Sequence, residues 1–329
     1  MKIRKNVALF RKCGKVLCKT YKIMIINYIK TSLLIEFVTP IKWQVLPTFF
    51  LRSVLGAQLK RICCVQRQST CDDCILSGSC AYSVLFESPL DTSNKVLYGR
   101  NRGYHPFVLT HGAVLNGGLG YHFTVTLIGK GIQYFPFVVF AFQQAGSEGV
   151  FSSKIQYRIS ELTDHATGKS LQNTNLKSPQ TQMLHVQQAD SVIFESVSVE
   201  FITPARIKHF GKYTLDFDAI SFLSSIYRRI TALTQLYEES MPGENSANEK
   251  LMVPEKIHIS ERNIKWKDFS RYSQRQHTEM ELGGIVGNFI LTGGLRAFDI
   301  SLLEAGKLFH VGKNTVFGLG QMDFNTINK

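Results

Sequence analysis

The sequence predicts an α+β fold: two tandem ferredoxin-like (RRM-like, βαββαβ) domains, with a cysteine-rich loop inserted in the first. Two observations predict it. The first is a repeated phrase. TSLLIEFVTPIK at 31–42 returns as ESVSVEFITPAR at 195–206, at a constant offset of 164. Ser32, Glu36, Phe37, Thr39 and Pro40 recur as Ser196, Glu200, Phe201, Thr203 and Pro204, and three apolar positions between them stay apolar. Both copies have the β-branched and aromatic content of a strand. Both are expected to stop at Thr-Pro, because proline has no N–H to continue a ladder. A duplication of this kind sets the architecture of the whole chain. The second observation is that each copy opens the same series of elements.

In the first unit, strand 30–38 leads to LPTFFLRSVLGAQLKRICC, where Phe50, Val54, Leu55, Leu59 and Ile62 form one helical face. The cysteine loop follows. HPFVL (105–109) and YHFTVTLIG (121–129) have strand patterns. PFVVFAFQQAG (136–146) is an apolar helix expected to stop at Gly146, and the alternating KIQYRISEL (154–162) closes the unit. In the second unit, 217–240 carries Ile220, Leu223, Ile226, Ile230 and Leu233 on one helical face. KIHISERNIKWKDFSRYSQRQ and LGGIVGNFILTG supply middle strands, FDISLLEAGKLFHVG a short helix, and FGLGQMDFN the closing strand. The resulting domains are 24–162, with its cysteine-rich insert at 63–82, and 195–329, with a glycine-rich loop at 310–320. Residues 163–194, rich in Thr, Gln, Asn and Ser, are expected to be a polar linker or long hairpin. Two such sheets side by side leave a cleft suited to an extended acidic polymer.

The formal charge of +13 and pI near 9.4 favour an acidic partner such as nucleic acid. No run of 18 apolar residues suggests a membrane span. The expected location is the cytoplasm. Glu36 is the first acidic residue, and eight Lys or Arg precede Ile23. Residues 1–23 therefore read as a basic extension outside the fold, either unstructured or the product of a start placed before Met24. Five of the seven cysteines fall between 63 and 80, which points away from disulfides.

Three motifs carry chemistry. In HVGKNTVFGLGQ (310–321), Gly312, Gly318 and Gly320 surround Lys313. Glycines admit close backbone approach and free N–H groups for phosphate, and the competing reading is a glycine-rich hairpin without a ligand. The spacing is neither a Walker loop nor a dinucleotide fingerprint. In DFSRYSQRQHTEMELGGIVG (268–287), Arg271, Arg275, Gln276 and His277 are interleaved with Tyr272, a pattern for phosphate pairing and base stacking or for a solvated edge. Cys64, Cys71, Cys74 and Cys80, with Cys63 as a substitute for Cys64, offer four thiolates for a closed structural zinc site. No HExxH, GxSxG or paired-carboxylate pattern points to a catalytic metal or a serine nucleophile.

Taken in order, EFVTPIK, LRSVLGAQLKRI with the CxxC loop, HPFVL, VEFITPARIK, WKDFSRYSQRQ with LGGIVG, and HVGKNTVFGLG resemble the CRISPR-associated endoribonucleases that process precursor CRISPR RNA, in the RAMP superfamily, with a zinc-loop subgroup as the nearer likeness. The resemblance spans about residues 30–325. It implies metal-independent cleavage within each CRISPR repeat by attack of a 2′-OH, giving a 2′,3′-cyclic phosphate and a 5′-OH. It also implies repeat RNA as partner, handover to a CRISPR effector complex, and homodimers in some members. Many members carry a catalytic histidine near the first helix. WQVLPTFFLRSVLGAQLKRI has none and offers only Gln44, Arg52, Gln58 and Lys60, with Lys42 just before it. The expected proton-transfer residues are therefore His105 and His310, with Lys313 stabilising charge and Tyr272 orienting the RNA. Gly312, Lys313, Gly318, Gly320, Arg271, Arg275, Gln276 and Lys208 are the expected RNA contacts. The competing function on the same fold is a non-catalytic RNA-binding subunit of an effector complex. A zinc-containing DNA-binding regulator finds no helix-turn-helix or finger spacing in its favour.

Overall fold

The computed structural model describes residues 23–66, 70–90, 97, 100–172, 178–187, 191–238, 251, 253–273 and 278–327. Apart from Ile23, the basic extension lies outside them. The first unit runs β1 (Ile23–Phe37), α1 (Pro47–Cys63), β2 (Phe107–Leu115), β3 (Gly120–Ile128), α2 (Phe135–Glu148) and β4 (Tyr157–Asp164). Its antiparallel sheet has the order β2-β3-β1-β4. A further strand, β5 (Gln182–Gln187), pairs with the start of β1 from Ile23↔Gln187 to Tyr28↔Gln182. Part of the stretch expected to be a polar linker or long hairpin thus lengthens the first sheet, with buried Val186 as the apolar anchor of β5.

The second unit runs β6 (Val192–Ala205), β7 (Lys208–His209), β8 (Lys212–Tyr213), α3 (Ala219–Tyr237), β9 (His258–Lys267), β10 (Ser270–Ser273), β11 (Thr278–Glu281), β12 (Gly284–Arg296), α4 (Ala297–Phe309) and β13 (Met322–Ile327). Its main sheet has the order β13-β6-β12-β9. With the small hairpins set aside, both sheets place their first strand between their third and fourth, the ferredoxin-like arrangement. The repeated phrase falls on β1 and β6, the inner strand of each sheet, which is why its sequence is so constrained.

Local chemistry explains most element ends. Pro47 opens α1, where its missing N–H costs nothing. Asp218 caps α3 by accepting from the Ser221 N–H at 2.7 Å. Two expected stops move. α2 passes through Gly146 and ends before Gly149, at φ +78. Gly146 is buried against Tyr157, whose carbonyl a Cβ would strike, so it serves packing rather than termination. β1 ends at Phe37, before its Thr-Pro, but β6 continues through Thr203-Pro204 to Ala205. Pro204 donates nothing there, yet its carbonyl accepts from Gly320 N at 2.9 Å.

The two sheets do not face each other across an open cleft. Leu33, Ile35 and Phe37 on one face of β1 pack with α1 and α2, whereas Met24 and Ile26 share a second core with α3, α4 and the main sheet of the second unit. β2 splits in the same way, Phe107 and Leu109 against Val108. Strand alternation sends successive side chains to opposite faces, so these strands are apolar on both. The ring of Tyr28 meets that of α4's Phe309 edge-on at 5.7 Å. Helices α3 and α4 therefore fill the ground between the sheets.

A second tie runs the other way. Val316, Phe317 and Leu319, from the 3-10 turn Thr315–Phe317 and the residues after it, belong to the core of the first unit. Phe317 stacks edge-on against Phe49 at 5.8 Å and lies under the Arg52 guanidinium at 4.3 Å. Replacing Phe317 with alanine is expected to lower stability by about 3 kcal/mol, in chemical denaturation followed by probes in both units. A shift confined to the second unit's probe would contradict this interlock.

Candidate nucleic-acid interface

The glycine-rich loop joins α4 to β13, and its backbone is held from three sides. Thr48 Oγ1 of α1 donates to the Phe317 carbonyl at 2.7 Å, and Thr203 Oγ1 of β6 donates to the Gly318 carbonyl at 2.7 Å. Thr203 Oγ1 also accepts from Gln321 N at 2.9 Å. The Gln321 side chain bonds both the N–H and the carbonyl of His111 on β2, at 3.1 Å each. Gly318 has φ +78, and a Cβ there would collide with Thr48. Gly320, at φ +71, would collide with the Val311 carbonyl. Both glycines are buried. They serve close backbone approach inside the protein, so the expectation that Gly318 and Gly320 touch RNA is corrected. Gly312 is half-buried beside Arg206, and Lys313 projects into solvent at the tip.

The two histidines expected to move protons are built into this frame. His310 is 0% exposed. Its Nε2 faces Thr110 Oγ1 of β2 at 3.1 Å and its Nδ1 faces the Leu319 carbonyl at 3.2 Å. Burial pushes its pKa down to about 3. Arg229 of α3, fully buried, donates from Nε to the Phe309 carbonyl at 3.0 Å, placing a cation at the C-terminal end of α4. His105 keeps some surface, but burial of its ring, with Arg52 and Arg229 nearby, pushes it down to about 3 as well. Its Nδ1 faces Ser88 Oγ at 2.9 Å. Burial favours the neutral form of both rings. His310, with no exposed surface, is corrected to a structural role, whereas half-buried His105 keeps access to solvent.

Exposed Lys208 and Lys212 lie on the short β7–β8 hairpin. The isolated bridge Arg206↔Gly312 sets the root of the β7–β8 hairpin beside the loop tip. Arg206 and exposed Lys208 both lie over the Tyr213 ring, at 4.5 and 5.4 Å. Arg271 and Tyr272 fall on β10, opposite Met280 and Glu279 of β11. Arg275, Gln276 and His277 lie outside the described residues. Sequence reading marked Lys208 but missed Arg206 and Tyr213 as its companions. The signal was present as alternating cation and apolar residues in RIKHFGKY, without the Asn-Gly that usually announces a hairpin.

Cys63, Cys64, Cys71, Cys74 and Cys80 are all free and line one small cavity of about 20 Å³, next to the end of α1. That volume suits a single small atom or ion. Burial pushes the Cys63 and Cys71 thiols up, and Cys80 near Cys63 and Glu87 near Cys71 add to it. The donors fit zinc in type and number. Among the described residues, however, no three stand close enough together to hold an ion as they are, so a site here requires the thiols to draw inward.

Residues 199–322 match the family model of the CRISPR-associated endoribonuclease Cas6, and residues 26–189 match that of the AF_1859_N N-terminal domain. The Cas6 match covers the second unit of the chain. Among solved structures it is similar to a Thermus thermophilus Cas6 in a product complex, with a TM-score of 0.51 and 15% identity over 90% of this chain and 100% of that one. It is also similar to a partial Cas6-RT-Cas1–Cas2 complex, with a TM-score of 0.56 and 14% identity over 92% of this chain. That chain is longer, and only 47% of it is covered. At these identities the likeness is one of fold. No curated protein matches the sequence significantly. No described helix of this chain is long and apolar enough to cross a membrane.

The two histidines whose pKa is pushed down predict an acid-sensitive fold. On unfolding each returns to its ordinary pKa of about 6.5, so the unfolded chain binds protons that the folded chain refuses. Their contribution to stability is complete above about pH 6.5 and is lost as pH falls toward about 3. His310→Gln is expected to reduce the slope of stability against pH by about 1.4 kcal/mol per unit in that window. Equal slopes for variant and wild type, from urea titrations across it, would place His310 in water.

Proposed function

We propose that this chain cuts precursor CRISPR RNA within its repeats, without a catalytic metal. The 2′-OH upstream of the scissile phosphate attacks phosphorus, the bond to the 5′-oxygen breaks, and the products are a 2′,3′-cyclic phosphate and a 5′-OH. The proton leaves the 2′-OH to a base, and the departing oxygen takes one from an acid. Cations stabilise the extra charge on the phosphorane. The observation that carries the reading is the Cas6 family match over 199–322, the span that contains both the β7–β8 hairpin and the glycine-rich loop. Exposed Lys313 is the proposed charge stabiliser, with Arg206 and Lys208 tracking the backbone and Arg271, Tyr272, Arg275 and Gln276 extending the contact. The proton steps fall to groups other than the enclosed His310, with half-buried His105 kept as a candidate. Repeat RNA is the proposed partner, and a structural zinc held by four of the five clustered thiols is the proposed metal.

The direct test is end-labelled repeat RNA from the chain's own locus, incubated in EDTA beside a strand with a single 2′-deoxy at the cut. One cut, blocked by the 2′-deoxy, is expected. Tight binding without a cut would instead identify a non-catalytic RNA-binding subunit. Lys313→Ala is expected to weaken repeat binding and to reduce the salt dependence by about one charge. An unchanged dissociation constant and slope would remove Lys313 from the interface. Elemental analysis of the freshly purified protein is expected to find about one zinc per chain, the count of a closed four-thiolate site, and none after joint Cys71→Ser and Cys74→Ser substitution. Wild-type protein free of zinc would end the metal proposal.

A further inference from the structure

We infer that Phe210, at the tip of the β7–β8 hairpin, is a stacking platform for an unpaired RNA base. The inference rests on the RNA-binding reading above and adds a recognition residue to it. Phe210 is 93% exposed. It occupies the first position of a two-residue turn, with φ +45, and Gly211 follows at φ +80. Positive φ at both positions defines the turn type that strongly prefers Asn-Gly, and a bulky aromatic residue there is an outlier. The turn therefore carries backbone strain and exposed apolar surface together.

The hairpin is also aimed. His209 Nδ1 faces Ser221 Oγ at 2.8 Å and Asp218 Oδ1 at 3.7 Å, which latches the strand before the tip to the start of α3. The ring of His209 backs that of Phe210 with centroids 4.2 Å apart. Arg206, Lys208 and Lys212 supply three cations between 206 and 213, and no acidic residue lies among them. Asp216 and Asp218 follow, and Asp218 is engaged as the cap of α3. The Arg206↔Gly312 bridge ties the same hairpin to the loop that exposes Lys313. An aromatic face held among cations, beside a further exposed lysine, is the combination that binds single-stranded nucleic acid. Cations take the phosphates, and the ring takes a base of any sequence.

The test is Phe210→Asn, which suits the turn better than phenylalanine and so keeps the hairpin folded. Its thermal midpoint is expected to equal or exceed that of wild type. Its affinity for the chain's own repeat RNA is expected to fall roughly tenfold, with the salt dependence unchanged, because a stacking contact and not a charge is lost. Phe210→Trp is expected to bind within about twofold of wild type, and RNA is expected to quench its added indole fluorescence. Wild-type affinity in Phe210→Asn, or a reduced salt slope, would overturn the stacking assignment while leaving RNA binding intact. Failure of the wild type itself to bind repeat RNA would overturn the RNA reading, and the platform with it.

Discussion

The second unit of this chain is held in the first through a loop gripped by two hydroxyls, one from each unit. Thr48 donates to the Phe317 carbonyl from α1, and Thr203 donates to the neighbouring Gly318 carbonyl from β6. Between them the loop backbone is gripped at adjacent residues by both units. Each such buried bond contributes only about 1 kcal/mol net, but a buried carbonyl left without its donor costs more than that. The contact closes only because Gly318 lacks a Cβ, which leaves room for Thr48. The apolar plug of Val316, Phe317 and Leu319 then completes the first core.

This constraint decides what the surface offers. A loop whose interior carbonyls and N–H groups are already satisfied has little left for a phosphate. Its solvent-facing part shrinks to the tip, where half-buried Gly312 and Asn314 flank exposed Lys313. The chemistry of a site here is thus a matter of presented side chains on a rigid frame rather than a cradle of backbone amides. The buried His310 belongs to the frame: it bridges Leu319 and Thr110 across the two units, and protonating it would put an uncompensated charge beside Arg229 and Lys30.

The ferredoxin-like plan was legible because strands and amphipathic helices leave periodic patterns, and because β1 and β6 repeat a phrase. The place of each glycine and histidine was not. Thr39 and Thr203 occupy the same place in the repeat, yet Thr39 is exposed and Thr203 is wholly buried, because only the second copy meets the glycine-rich loop. Identical residues carry no mark of the tertiary partner that distinguishes them. The same limit applies to Gly146, which the sequence presents as a helix stop and the fold uses as a gap for Tyr157. Val186 in β5 was likewise hidden, since three apolar residues, Met183, Leu184 and Val186, in a polar stretch make too short a pattern to mark a strand.

The central claim is that the glycine-rich loop is part of the core and only its tip is free for RNA. Amide hydrogen exchange of residues 310–321, with and without repeat RNA, tests it most directly. The N–H groups of Val311, Gly320 and Gln321 are bonded to Gly320 O, Pro204 O and Thr203 Oγ1 within the protein. They should be protected without RNA, and added RNA should slow exchange chiefly at 312–314. A loop that exchanges freely along its length until RNA arrives would contradict the account and return the glycines to the role of a phosphate cradle.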